Sequence, residues 1–454
     1  MRSTGQRTVN MTSGPIAKQI ILFAFPLMAG NLFQMLYNTA DTIVVGNFVG
    51  KEALAAVGGT AMITHLAVFF FSGFATGASV AIARAFGADD NEKVHKAVET
   101  SIALTLIFSV LLTIAGVALS SPILSWMGTP ADVFPDASLY LRIYFGGISG
   151  LLIYNMGSGV LRSVGDSRRP LYFLIFTSLL NIVLDVVFVV AFHAGIAGVA
   201  YATILSQFVS AFLVLLLLSA TKDVYRLTWN DLQLDAEQLR LIVKVGLPAG
   251  LQSAFTALSN IVMQSYINFF GSEVMAAWSS YTKIDQFVML PASSVSVAAT
   301  TFVSQNVGAG RLDRAEKGTL TAVAMALSVS ALIQAFGYIF APHLVQLFTS
   351  DAGVVRQGVQ FIRINFLFIS ANAIDNVLIG SLRGYGDSRS PMLILTATHV
   401  GVRQLYLFVM TRFFMNTPAV VGFAYPAGWL SCFVLMVWYY LSHREQGFGL
   451  ERNG

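Results

Sequence analysis

Charged residues are scarce in this chain. Of its 454 residues, 27 are Lys or Arg and 23 are Asp or Glu, so that only 11% carry charge while 56% are apolar. Soluble globular proteins contain about 25% charged residues. The composition therefore excludes an array of soluble domains, a disordered chain and a free nucleic-acid binder. The net charge of +4 is interpreted as a signal of orientation in a membrane rather than of a polyanionic partner.

Cysteine is almost absent as well. The single thiol, Cys432, lies in an apolar stretch, which excludes a disulfide within the chain and a cysteine-rich metal site. The sequence also lacks the phosphate-binding Gly-x-x-x-x-Gly-Lys-Ser/Thr loop and the hydrolase patterns His-Glu-x-x-His and Gly-x-Ser-x-Gly. We therefore expect no ATP hydrolysis, no other enzymatic activity and no cofactor.

Twelve apolar runs make up the body of the chain. A helix needs about 20 apolar residues to cross a hydrocarbon layer of about 30 Å, because each residue rises about 1.5 Å. The sequence predicts an all-α integral membrane protein with twelve transmembrane helices. The runs lie near residues 15–44, 53–82, 95–120, 134–160, 170–192, 196–220, 239–269, 274–304, 315–341, 353–381, 391–414 and 419–441.

The two halves of the chain repeat with an offset of 221 residues. Residues 161–170, LRSVGDSRRP, return as residues 382–391, LRGYGDSRSP, and the same shift aligns Arg142 with Arg363. This pattern predicts two homologous lobes of six helices. Because six is even, both lobes begin on the same side of the membrane, as parallel repeats do.

Domain limits and orientation follow from the polar connections. We predict a cytoplasmic tail at 1–14, an amino-terminal lobe at 15–220, a cytoplasmic linker at 221–238, a carboxy-terminal lobe at 239–442 and a second tail at 443–454. Twenty of the 27 basic residues fall in the tails and in the connections after even-numbered spans, and three fall on the opposite face. Since Lys and Arg mark cytoplasmic loops, we expect a monomer in the inner (cytoplasmic) membrane with both termini cytoplasmic.

Eight charged residues remain within the spans. A carboxylate at mid-membrane costs about 2.5–3.5 kcal/mol on insertion scales, so such groups face protein or a wet cavity. Arg142 and Arg363 occupy matching positions, which favours a scaffold role. Lys283 and Asp285 are two residues apart and cannot face each other on a helix, so each is paired elsewhere or lies in the cavity. The eight are Asp41, Arg142, Asp185, Lys283, Asp285, Arg363, Asp375 and Arg403.

The first half offers the best candidate site. Asp41 follows Tyr37 by four residues, and Asp185 follows Asn181 by the same interval, so each pair shares a helix face. Thr203 adds a hydroxyl from the sixth span. Carboxylate, amide, phenol and hydroxyl groups together can hold a proton or a small hydrated cation. We predict that these residues form such a site; the alternative is a satisfied polar core that ties helices together.

The second half does not repeat this site, since the matching positions hold apolar residues or tyrosine. Its own mid-span carboxylate is Asp375, for which a transport role and an ion pair with a buried arginine such as Arg403 both stay open. His65 and His399 are lone histidines on apolar helices, for which packing is the expected role. Secondary candidates in the carboxy-terminal lobe and cavity are Asp375, Asn376, Gln252, Thr256, Asn260 and Asp285.

The chain resembles the multidrug and toxic compound extrusion (MATE) family over nearly its whole length. The resemblance rests on the first span from Pro26 to Asp41, on Asn181-x-x-x-Asp185, on the twin Gly-Asp-Ser-Arg loops and on the two six-span halves. It implies a V-shaped pair of lobes that open alternately to the two sides of the membrane. It also implies that the coupling ion of bacterial members binds at positions that are here Asp41, Asn181, Asp185 and Thr203, with Tyr37 nearby.

The implied function is secondary active export of small organic cations in exchange for inward H⁺ or Na⁺. Other family members place a glutamate in the seventh span alongside the tenth-span aspartate. Here Asp375 matches, but the seventh span offers Gln252, Thr256 and Asn260, which favours coupling in the amino-terminal lobe. The alternative function is a lipid-linked saccharide flippase of the same superfamily, which should have a strongly cationic central cavity.

Overall fold

The structure, a computed structural model, describes residues 10–444 and 448, which are almost entirely helical and contain no strand. Ten helices are long and apolar enough to cross a membrane, and two bent pairs raise the number to twelve if each pair is one span. The prediction of an all-α membrane protein is confirmed. Parts of both predicted tails, residues 1–9, 445–447 and 449–454, lie outside the described residues.

The helices follow the predicted runs in chain order. The first half comprises α1 Ile16–Val44, α2 Lys51–Gly87, α3 Asn91–Trp126, α4 Phe134–Gly146, α5 Ile148–Ser163, α6 Arg168–Asp185 and α7 Gly195–Ala220. The second half comprises α8 Ala236–Asn268, α9 Ser272–Gly308, α10 Leu312–Gln346, α11 Ala352–Phe366, α12 Ile369–Gly384, α13 Arg389–Leu395, α14 Arg403–Val409, α15 Pro418–Gly422 and α16 Ala424–His443.

Several spans contain π-helical segments, in which the helix carries extra residues per turn. One follows α1 shortly after Asp41, one begins directly after Asp185, and one contains His399. Such segments are rare and frequently mark functional sites. They therefore draw attention to the ionisable residues beside them. The segments are Val45–Val49, Val186–Ala191, Thr396–Val402 and Met410–Phe414.

The internal repeat is visible in contacts that recur at the same offset. In the first half the Ser79 hydroxyl donates to the Gly159 carbonyl oxygen at 3.2 Å, and in the second half the Thr300 hydroxyl donates to the Gly380 carbonyl oxygen at 2.8 Å. Both partners are displaced by 221 residues, since 300 − 79 equals 380 − 159. The bend between α4 and α5 is 47°, and that between α11 and α12 is 52°. The duplication therefore extends to individual contacts.

The twin Gly-Asp-Ser-Arg loops begin helices α6 and α13. Gly165 and Gly386 have φ of +89° and +87°, a conformation that favours glycine. Asp166 then accepts hydrogen bonds from the backbone N–H groups of the next two arginines, each at 3.1 Å. Asp387 caps its helix in the same way and also accepts a hydrogen bond from the Tyr439 hydroxyl at 2.7 Å. The motif is a helix cap, which satisfies N–H groups that the helix itself leaves unpaired.

The described chain forms two compact units. The first is Asn10 with Phe25–Leu247, and the second is Met11–Ala24 with residues 248–444 and 448. The predicted lobes begin at residues 15 and 239, and the two units divide the chain differently. The start of α1 belongs to the second unit, and the start of α8 belongs to the first. Each of these helices changes unit at a proline, Pro26 or Pro248, where a missing backbone hydrogen bond permits a kink.

The predicted linker, residues 221–238, packs against the first unit. Tyr225 and Leu227 are each 2% exposed and belong to its apolar core. At the end of the connection, Lys93 pairs with Glu237 at 2.9 Å. The connection is therefore a packed part of the first unit rather than a free tether.

Within the first unit, α2 and the start of α8 approach through two glycines. A Cβ atom on Gly77 would overlap the carbonyl oxygen of Ile242, and one on Gly246 would lie 2.8 Å from the Cα atom of Phe74. Small residues of this kind let the backbones of neighbouring membrane helices touch. The contact fixes the start of α8 on α2.

We expect Gly77→Ala to lower the midpoint of thermal unfolding by several degrees, because forcing a methyl group into a filled contact costs about 1–3 kcal/mol. Gly58→Ala is the matched control, since Gly58 lies on the same helix with open space around it. There the same substitution should be neutral or stabilising, as alanine favours helix by about 0.5–1 kcal/mol. Unfolding of purified protein in detergent, followed by tryptophan fluorescence, measures both. Equal midpoints for the two variants would contradict the contact.

Candidate functional site

The two carboxylates within the spans of the first unit lie together. Asp41 is on α1 and Asp185 is the last residue of α6, and their carboxyl groups are within hydrogen-bonding reach of each other. Asp185 is fully buried. No N–H or O–H group of the described residues donates a geometrically good hydrogen bond to either oxygen of Asp185 or to Oδ1 of Asp41. Two bare carboxylates this close repel each other strongly at low dielectric, so the arrangement favours a cation between them.

A polar cavity of about 150 Å³ lies within the first unit. Tyr37 and Asn181, each one helical turn before a carboxylate, both line it. The volume has room for several water molecules or for a small hydrated cation. The lining residues are Asn31, Gln34, Tyr37, Leu151, Tyr154, Asn155, Arg162, Leu174, Thr177, Ser178, Asn181, Thr203, Ser206, Gln207 and Ser210.

Three hydroxyl groups of the cavity wall have their protons engaged elsewhere. Thr203 donates to the carbonyl oxygen of Val199 at 3.0 Å, and Ser206 donates to the carbonyl one turn before it at 2.8 Å. Ser210 donates to the hydroxyl oxygen of Thr177 at 2.8 Å. Each oxygen therefore keeps lone pairs for a cation while its proton is held by the protein.

The residues predicted for the coupling ion are thus brought to one place. Asp41, Asp185 and Asn181 come from α1 and α6, Thr203 comes from α7, and Tyr37 lies one turn from Asp41. Asn181 is 3% exposed, and neither its amide nitrogen nor its amide oxygen has a hydrogen-bond partner among the described residues. An unpaired buried amide beside two carboxylates is a further group available to a bound ion.

Two phenols near the carboxyl pair were missed at the sequence level. The rings of Tyr140 and Tyr144 stack with centroids 6.1 Å apart, and Tyr140 lies within electrostatic range of both Asp41 and Asp185. Tyr144 interacts with the side chain of Gln207. Their spacing of four residues on the short helix α4 was the available signal. It points to one helix face, but it does not tell which neighbour that face meets.

In the second unit, two polar side chains of α8 accept hydrogen bonds from arginines. The Gln252 side-chain oxygen accepts a hydrogen bond from Arg383 at 2.9 Å, and that of Asn260 accepts one from Arg403 at 3.1 Å. The Thr256 hydroxyl donates to its own helix at 2.9 Å. These amides therefore stabilise buried guanidinium groups.

Asp375 is 1% exposed on α12. The alternative of an ion pair with Arg403 is not seen, since no salt bridge joins these two described residues. Arg403 instead lies over the ring of Tyr425, with its Cζ atom 4.9 Å from the ring centroid. The polar side-chain atom that reaches the Asp375 carboxyl group is the Sγ of Cys432.

The remaining candidates of the second unit are dispersed. Asp285 interacts with the Tyr281 hydroxyl, and its sequence neighbour Lys283 lies over the ring of Phe348 at 5.8 Å. The Asn376 side chain donates to the Asn372 carbonyl oxygen at 2.8 Å. These groups do not assemble into a second site like that of the first unit.

The matching arginines and His65 have local partners. Arg142 donates to the Ser121 hydroxyl at 3.0 Å, and Arg363 lies over the ring of Tyr338 at 5.5 Å. The ring of His65 lies 5.6 Å from that of Phe69. These contacts are with neighbouring helices or turns and fit a role in packing.

Comparison with known proteins places this architecture in a family. The MatE family model matches residues 26–187 and again residues 248–407, once in each half of the repeat. The probable multidrug resistance protein YoeA of Bacillus subtilis (strain 168) is 27% identical over 435 residues, which cover 93% of each chain. The probable multidrug resistance protein YpnP of the same organism is 30% identical over 380 residues, covering 84% of this chain and 85% of YpnP.

The fold agrees with these sequence relatives. A solved structure of a multidrug resistance MATE family transporter in an outward-facing conformation superimposes with a TM-score of 0.91 and 25% identity, covering 99% of this chain and 100% of that chain. The two matches to the family model span more than two thirds of the chain, one in each half. The chain belongs to the multidrug and toxic compound extrusion (MATE) family of membrane transporters.

Proposed function

We propose that this chain is a secondary active antiporter that exports organic cations in exchange for inward H⁺ or Na⁺. The observation that carries the proposal is the contact between the carboxyl groups of Asp41 and Asp185 beside a polar cavity. Membership of a family of multidrug transporters supplies the substrate class. The site requires no cofactor beyond the coupling ion.

The carboxyl pair supports antiport because it offers one place to two kinds of cation. When the pair is ionised, its charge attracts an organic cation toward the cavity. When the pair takes up H⁺ or Na⁺, that attraction falls, so the two ligands compete. Exchange then needs alternating access, in which the site opens to one side of the membrane and then to the other. Each ion shifts the equilibrium between these two states only as far as it binds one state more tightly than the other.

The chemical gradient of the coupling ion is the relevant driving force. Exchange of one ion for one monovalent cation moves no net charge, so the membrane potential does no work. A second coupling ion per cycle would add about 2.3 kcal/mol at 100 mV. Two neighbouring carboxylates can bind either one coupling ion or two. Because the ion gradient drives exchange in both cases, a test imposes a gradient of pH or of Na⁺.

The flippase alternative is not favoured. A lipid-linked phosphate requires a strongly cationic cavity, whereas Arg162 is the one basic residue in the described lining. Asp41 and Asp185 lie one turn from that lining and offset its charge. We also propose that the protein lies in the cytoplasmic membrane as a monomer, with both termini in the cytoplasm, as the distribution of basic residues indicates.

Neutralising either carboxylate should reduce drug export. A charge-assisted contact is worth about 1.5–3 kcal/mol, so Asp41→Asn and Asp185→Asn should each lower ion-driven efflux about tenfold or more. Efflux of a fluorescent organic cation from proteoliposomes, under an imposed pH or Na⁺ gradient, measures this. Asp132→Asn, at an exposed carboxylate in a connection, is the control. If both variants export the cation as well as the parent does, Asp41 and Asp185 are not the coupling site.

Replacing Thr203 should distinguish coupling to Na⁺ from coupling to H⁺. Na⁺ needs several oxygen ligands, whereas a proton needs only a carboxylate, so Thr203→Val should weaken Na⁺-driven efflux about tenfold and leave H⁺-driven efflux nearly unchanged. Thr105→Val is the matched control, because the buried Thr105 hydroxyl likewise donates to the carbonyl four residues before it, at 2.7 Å. Sodium-driven efflux that is insensitive to Thr203→Val would exclude the hydroxyl as a ligand.

A further inference from the structure

Three side chains with metal-binding atoms converge in the interior of the second unit. Asp375 lies on α12, His399 in the π-helical segment Thr396–Val402, and Cys432 on α16. Each offers one ligand atom, and the three atoms all lie within 4.8 Å of one another. The residues are 1%, 8% and 0% exposed, respectively. The cluster therefore joins three helical segments at a point shielded from solvent and lipid.

The atoms of this cluster are poorly satisfied by the protein. Neither oxygen of Asp375 nor the Nε2 atom of His399 has a geometrically good hydrogen-bond partner among the described residues. The Cys432 thiol is a weak donor, and it is the polar side-chain group that reaches Asp375. Leaving a buried polar group unpaired costs about 1–3 kcal/mol. Unsatisfied buried atoms gathered at one point require a partner, which a bound ion or an ordered water molecule supplies.

The donor set selects a class of metal. In tetrahedral zinc sites the metal lies about 2.3 Å from sulfur and about 2.0–2.2 Å from nitrogen and oxygen, which places neighbouring ligands about 3.3–3.8 Å apart. The ligand atoms of the cluster lie within 4.8 Å of one another, so binding would require the side chains to move inward by up to about 1.5 Å. Thiolate and imidazole favour Zn²⁺ and similar borderline or soft ions, whereas Na⁺ and Mg²⁺ favour oxygen ligands alone.

Charge balance also fits a divalent ion. A thiolate, a carboxylate and a neutral imidazole carry two negative charges, so a divalent cation makes the cluster neutral within the membrane. The nearby Arg403 has partners of its own, since its Nε atom donates to the Ser259 hydroxyl at 3.1 Å and its Nη2 atom to the Asn260 side chain. It therefore does not compete for the carboxylate.

The surroundings hold the ligands in place. The Ser259 hydroxyl donates to the His399 carbonyl oxygen at 2.6 Å, which fixes the π-helical segment. Gly428 of α16 leaves room for the imidazole, since a Cβ atom there would lie 3.2 Å from His399 Cδ2. The Thr398 hydroxyl donates to a backbone carbonyl at 2.8 Å, and its oxygen faces Cys432. Such outer contacts orient the ligands of a metal site.

We propose that Asp375, His399 and Cys432 form a buried site for a zinc-class divalent cation. The Thr398 hydroxyl or a water molecule supplies the fourth ligand. Binding displaces the thiol proton to solvent and ties α12, α16 and the π-helical segment together. The site is distinct from the carboxyl pair of the first unit and does not depend on the proposed antiport.

Cadmium titration tests the site directly, because Cys432 is the only thiol in the chain. Purified full-length protein in detergent, with its affinity tag removed and metal stripped, is titrated with CdCl₂ while the thiolate-to-cadmium charge-transfer absorption is followed. We expect saturation at one Cd²⁺ per chain, reversal by excess Zn²⁺, and loss of the band in Cys432→Ser. His399→Gln and Asp375→Asn should weaken binding at least about tenfold.

Two control variants and one variant-free measurement complete the test. His65→Gln and Asp285→Asn remove the same functional groups elsewhere and should leave the titration unchanged. In the parent protein Zn²⁺ should also raise the midpoint of thermal unfolding, since a ligand that binds only the folded state stabilises it. No charge-transfer band in the parent, or a band whose affinity ignores both His399→Gln and Asp375→Asn, would overturn the site. If these variants do not fold, the parent's absorption band and thermal shift decide, and absence of either refutes the proposal.

Discussion

The hydrocarbon core of a membrane solvates no charge, so every polar group at that depth must find a partner inside the protein. Several ionisable groups among the described residues meet that condition visibly. Arg403 is held by a hydroxyl, an amide and an aromatic ring, and Arg383 by the side chain of Gln252. Both oxygens of Asp185 and of Asp375 and the Oδ1 atom of Asp41 are among the buried atoms that lack a hydrogen-bond partner in the described chain, and the two proposed sites are built on these carboxyl groups.

The two halves have kept their scaffold and separated their chemistry. The hydrogen bond from Ser79 to Gly159 persists as that from Thr300 to Gly380, because close helix contacts tolerate little change. The ionisable residues carry no such constraint, and at the offset of 221 residues Asp41 corresponds to Val262. The second unit uses its polar residues to hold arginines and to assemble a thiol, an imidazole and a carboxylate. The two units therefore share their helix contacts but contain different sets of polar residues.

Sequence alone predicted the spans, the repeat and the helix faces that carry Asp41 and Asp185, because these depend on hydropathy and on the helical period. It did not predict that Tyr140 and Tyr144 lie beside the carboxyl pair, since that depends on how α4 packs. It treated His399 as a lone packing residue because its neighbours in space are 24 and 33 positions away in the chain. The π-helical segments were also missed, as packing rather than local composition determines them.

Three hydroxyl groups of the first cavity, those of Thr203, Ser206 and Ser210, donate their protons to other groups of the protein. That part of the wall offers electron pairs but few hydrogen-bond donors. A site that recognises a ligand through fixed hydrogen bonds rejects analogues that lack the matching group by factors of about 10⁴–10⁵. The oxygens of these three hydroxyl groups impose no such requirement, so this part of the wall favours a ligand that carries positive charge. Under the proposed function, tolerance of differently shaped cations would follow in part from where these three hydroxyl protons point.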